Sequence, residues 1–79
     1  MESKKTKKPA LANKVKTQDL IIGQEYYFDN TKREFGIFIY SDKEFDICSF
    51  KPIKIESYLV DYKGNVSFEY DDTFIEKTI

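Results

Sequence analysis

The chain has no histidine and no tryptophan, one cysteine, two prolines and three glycines in 79 residues. Each scarcity excludes something. A single cysteine closes no disulfide within the chain, so a small secreted fold stapled by bridges is ruled out. One cysteine without histidine does not make the usual structural zinc site. Catalytic triads and dyads that depend on imidazole are also excluded. Apolar runs stop at three or four residues, far short of the ~20 that a membrane-spanning helix needs. The basic N-terminal run is not followed by the apolar stretch of about 7–15 residues that marks a secretory signal. A cytoplasmic protein with no cofactor is expected.

What is present is charge and aromatic surface. Charged residues make up 34% of the chain and aromatics 16%, with six tyrosines and seven phenylalanines. The net charge of -1 hides two opposed segments. Residues 1–18 carry Lys4, Lys5, Lys7, Lys8, Lys14 and Lys16 against Glu2 alone, a net +5; residues 19–79 carry seven basic and thirteen acidic residues, a net -6. The first segment is poor in aromatic and β-branched residues and reads as a flexible basic tail, suited to contact with a polyanion. Its lysines also loosely match a nuclear-targeting run. The acidic remainder repels phosphate within a Debye length of about 10 Å at 0.1 M salt.

From residue 20 onward Tyr, Phe, Ile and Val dominate, a composition that favours half-buried strands. Five runs separate. Residues 20–28 form the first, with Gly23 inside it, and residues 29–33 form a polar loop. Residues 34–41 form the second, apolar on both faces and therefore central. Asp42-Lys43 reads as a tight turn, and residues 44–50 as a third strand that Lys51-Pro52 ends. Tyr58, Val60 and Tyr62, then Lys63-Gly64-Asn65, then Val66, Phe68 and Tyr70 suggest a hairpin with a three-residue loop, pairing Tyr62 with Val66 and placing all six apolar side chains on one face. After Asp71, the spacing of Thr73 and Glu76 resembles a capping box, and a short helix or a sixth strand both fit. The expected architecture is an all-β, five-stranded antiparallel barrel of SH3-like shape over residues 19–79, preceded by the basic tail of residues 1–18, with bends at Gly23 and Gly36.

Little of this looks catalytic. Cys48 lies on a strand without an activating partner and reads as a buried structural thiol. Asp42, Glu44 and Asp46 imitate the start of a calcium loop, but Ile47 stands where the glycine belongs and Ile53 where the glutamate belongs. They read instead as charge protecting a strand edge. Asn65-Val66-Ser67 matches a glycosylation acceptor only by coincidence.

The expected function is therefore non-enzymatic: a binding module whose acidic, tyrosine-rich surface (Tyr27, Tyr40, Asp42, Glu44, Asp61, Tyr62, Glu69, Asp71, Asp72) docks on a protein partner. The basic surface of a nucleic-acid-handling protein would suit it, and an inhibitor or accessory factor of a virus or mobile element is a special case. The alternative is direct nucleic-acid binding, with Lys4, Lys5, Lys7, Lys8, Lys14 and Lys16 on phosphates and aromatics stacking on bases.

Overall fold

The computed structural model describes residues 14–77. They form one curled antiparallel sheet, a half-barrel with almost no helix. The strands are β1 (Lys14–Lys16), β2 (Glu25–Tyr27), β3 (Phe35–Asp42), β4 (Ile47–Lys54), β5 (Val66–Phe68) and β6 (Thr73–Glu76). Their order across the sheet is β1-β6-β2-β3-β4-β5, so β6 lies between β1 and β2. A single 3-10 turn, Thr17–Asp19, follows β1.

The sheet has six strands where five were expected, and the extra ones lie at its two chain ends. The expected tail boundary at residue 18 shifts, because Val15 lies opposite Phe74 and packs on the core, which draws Lys14 and Lys16 into a strand. At the other end residues 73–76 pair on both sides and form the sixth strand.

Alternation decides the inner face. Tyr26, Phe28, Phe38, Cys48, Phe50, Val66 and Phe74 make the core. Phe50 is at its centre, with ring centroids 4.8 Å from Phe74, 5.3 Å from Phe28 and 5.5 Å from Phe38. Tilted and edge-on arrangements of this kind place positive ring edges against negative faces.

Three further expectations are corrected. The run at 20–28 is a strand only over Glu25–Tyr27; before it, Gln24 N–H donates to Ile21 O, and Gly23 takes φ +94°, a left-handed conformation natural to glycine. The strand at 44–50 begins instead at Ile47, since residues 43–46 form the turn, and it continues through Pro52 to Lys54. Proline is tolerated there because the register shifts: Phe35 faces Lys54 and Gly36 faces Pro52, leaving Ile53 as an extra residue. Gly36 permits this closeness, since a Cβ there would lie 2.5 Å from Lys51 O.

The hairpin of residues 58–70 keeps its turn and loses its first strand. Asp61 N–H donates to Asn65 O (2.8 Å), and Gly64 adopts φ +84°. The residues after the turn pair with β4, setting Val66 opposite Phe50, Ser67 opposite Ser49 and Phe68 opposite Cys48. That pairing buries Val66 to 1% exposure, whereas the expected partners Val60 and Tyr62 stay open to solvent. Burial against the central aromatic cluster outweighs local closure of the hairpin.

A carboxylate fastens the segment after β4. Glu34 is buried; its Oε1 accepts the N–H groups of Glu56 (2.6 Å) and Ser57 (2.8 Å), and its Oε2 accepts Ser57 Oγ (2.6 Å). Donation from Ser57 Oγ and then from the backbone pulls the Glu34 carboxyl down to about 2.

Candidate functional site

The outer face of the sheet carries the surface that stands out. Register places Glu25, Tyr27, Phe35 and Ile37 on this face of β2 and β3, away from Tyr26 and Phe38. Further along, the register shift between Phe38 and Tyr40 leaves Ile39 as an extra residue. The bulge lets both Ile39 and Tyr40 line the same open groove. The floor is Ser49 of β4 and Ser67 of β5, whose hydroxyls bond each other at 2.9 Å. Ile47 and the turn of residues 61–65 complete a hollow of about 440 Å³.

Two tyrosines border this groove. Tyr40 is 49% exposed, and Tyr62, carried on the turn, is 93% exposed. Lys63 Nζ sits 5.7 Å from the Tyr62 ring centroid. Tyrosine is among the residue types enriched where proteins meet.

The acids have a different task from the one expected. Asp42 Oδ1 accepts the N–H groups of Glu44 (3.0 Å) and Phe45, while its Oδ2 accepts Tyr40 Oη (3.2 Å). Asp61 Oδ1 accepts the N–H groups of Lys63 (2.8 Å) and Asn65 (2.9 Å). Donation from Asn65 and then Lys63 holds the Asp61 carboxyl below the ordinary range, and the bond to Asp42 raises the Tyr40 hydroxyl. Asp46 Oδ1 accepts Tyr70 N–H, and Asp72 Oδ2 accepts Glu69 N–H. These short side chains satisfy turn backbone, as aspartates do where chain direction reverses. The run Asp42, Glu44, Asp46 is therefore a turn between central strands and guards no sheet edge.

Of the residues singled out from sequence, Tyr40, Asp61 and Tyr62 share the groove, and Asp42 touches it through Tyr40. Tyr27 belongs to a separate cluster on the same face. It stacks edge-on against Phe35 (5.8 Å), and Lys77 Nζ lies 4.6 Å from the Phe35 centroid and 3.3 Å from Glu25 Oε1. Glu44 and Glu69 are exposed turn residues. Asp71 lines another hollow, of about 330 Å³, with Lys16, Lys43 and Tyr70. Lys14 and Lys16 stand exposed on β1, whereas Lys4, Lys5, Lys7 and Lys8 lie outside the described residues.

Ile39, Ile47, Ser49 and Ser67 were missed. The one usable signal was that residues 34–41 are apolar on both faces, which leaves an apolar set outside whichever face is core.

Cys48 is fully buried, and burial pushes its thiol up to about 11. No group of three or more metal-ligating side chains gathers among the described residues, and no helix among them is long and apolar enough to cross a membrane. No protein family, curated protein or solved structure matches this chain.

Proposed function

We propose that this chain is a protein-binding module of the small-barrel kind, and that its partner docks in the outer-face groove between Tyr40, Ile47 and Tyr62. The exposure of Tyr62 beside an open aliphatic trough carries the reading. A large ring in water gains nothing for the fold, whereas enclosing it at an interface removes about 150–250 Å² from solvent. The described residues hold nine basic and thirteen acidic side chains, a net -4, which favours a basic partner surface such as that of a nucleic-acid-handling protein.

The test is a selection of random displayed peptides on the full chain, repeated on Tyr62→Ala and Tyr40→Ala chains. Sequences enriched on the parent and lost on both variants support the reading. Enrichment indifferent to both variants, or none at all, refutes it.

One observation favours a second reading, direct nucleic-acid binding. Lys16, at the end of β1, and Lys43 share a hollow with Tyr70 and Asp71. On this reading affinity for a labelled single-stranded oligonucleotide falls steeply with salt, and replacing Lys4, Lys5, Lys7 and Lys8 by glutamine flattens that slope. A salt-independent signal excludes it.

A further inference from the structure

Resting on the protein-binding reading, we infer that the groove takes an extended segment bearing an aliphatic side chain and a nearby arginine, the first against Ile39, Ile47 and Tyr40, the second over the ring of Tyr62 beside Asp61. The walls define the first requirement. Ile39 and Ile47 offer dispersion and burial, while the two floor hydroxyls share one hydrogen bond that leaves a single O–H to be satisfied.

The rim defines the second. Tyr62 already carries a cation near its face, that of Lys63 at 5.7 Å. An ammonium on an adjacent flexible side chain is a weak occupant, and a guanidinium stacks on an aromatic face better and is less strongly hydrated. Asp61 is held by its turn through Oδ1, which accepts the N–H groups of Lys63 and Asn65. A carboxylate fixed by backbone N–H groups loses little freedom on meeting an arginine, which strengthens a charge-assisted bond. Asp42, outside the lining but bonded to Tyr40 through Oδ2 and to its own turn through Oδ1, adds a second negative charge beside that wall. Both aspartates repel acidic or phosphorylated segments, against a single lysine, Lys63, in the lining.

The experiment titrates the full chain, labelled with ¹⁵N, with synthetic seven-residue Gly/Ser peptides carrying one isoleucine and one arginine at three spacings. Parallel peptides replace the arginine by glutamate or the isoleucine by serine. At least one parent peptide is expected to shift Ile39, Tyr40, Ile47 and Tyr62. Either replacement should weaken binding about tenfold, a difference of about 1.4 kcal/mol, and Tyr62→Ala should weaken it about 2–30-fold. Arginine and glutamate peptides binding within twofold of each other overturn the inference. So do shifts confined to the hollow of Lys16 and Tyr70. If no parent peptide binds while displayed peptides lacking arginine are selected through Tyr62, this inference fails and the protein-binding reading stands; if the selection itself enriches nothing, the reading fails.

Discussion

Replacing Phe50 with alanine tests the core assignment most directly. The side chain has no solvent exposure and meets Tyr26, Phe28, Phe38, Phe68 and Phe74 at centroid distances between 4.8 and 6.3 Å. A buried aromatic removes about 150–250 Å² from water, worth about 4–6 kcal/mol at ~25 cal/mol/Å². That is an upper bound, because an unfolded chain already hides part of its surface. Alanine keeps a fraction of the burial and opens a cavity, and the balance for such truncations is a loss of about 3–5 kcal/mol. A domain of this size holds only about 3–10 kcal/mol in total. Phe50→Ala should therefore lower the melting temperature by tens of degrees or leave the chain unfolded at room temperature. Phe45→Ala is the control: at 75% exposure on a turn, it should stay within about 0.5 kcal/mol of the parent. Urea titrations followed by far-ultraviolet circular dichroism and tyrosine fluorescence measure both. A Phe50→Ala chain within 1 kcal/mol of the parent, or no weaker than Phe45→Ala, would refute the placement of the core.

Three other outcomes follow from the same geometry. Gly36→Ala sets a methyl 2.5 Å from the Lys51 carbonyl, between two paired backbones that yield little, and should lose about 1–3 kcal/mol in the same titration; an unchanged midpoint would contradict the register of β3 and β4. The Glu34 carboxyl is depressed from 4.5 to about 2, so its stabilisation is complete above about pH 4.5 and disappears as pH falls towards 2. The difference in urea midpoint between the parent and Glu34→Gln should thus shrink across that window, and a difference constant with pH would show that the carboxylate charge does not hold residues 56–57. Cys48, buried and with its thiol raised to about 11, should resist a thiol reagent at pH 8 in the native protein and react fully in urea; prompt native labelling would place it elsewhere.

Much of the sheet was legible because strands announce themselves locally. The expected run at 34–41 and the observed β3 nearly coincide, since β-branched and aromatic residues there fit a pleated surface on both sides. The turn at 61–65 was readable from Gly64 and Asn65, and the burial of Cys48 from its neighbours. Pairing was less readable. Residues 66–68 have two candidate partners, 58–62 beside them and β4 further back, and only the position of Phe50 decides between them. Bulges hide for the same reason, because Ile39 and Ile53 look like ordinary members of their runs until a partner strand sets the count. The groove depends on both. Its tyrosines were visible as residue types, while its aliphatic wall required knowing that the bulge brings Ile39 to Tyr40. The aspartates were visible too, but their use in building turns is a property of backbone direction that composition does not carry.

The position of β6 has a consequence for biosynthesis. It fills the gap between β1 and β2, and Lys14 finds Ile75 almost the whole described length away. A nascent polypeptide leaving the ribosome can assemble β2 through β5 as they appear, yet β1 has no neighbour until residues 73–76 emerge. Closing so long a loop is entropically slow, so completion of the sheet waits until residues 73–76 have been made and have folded back. A product stopped before residue 73 would lack Phe74 in its interior and leave two backbones unmatched, an open invitation to clumping with other nascent chains.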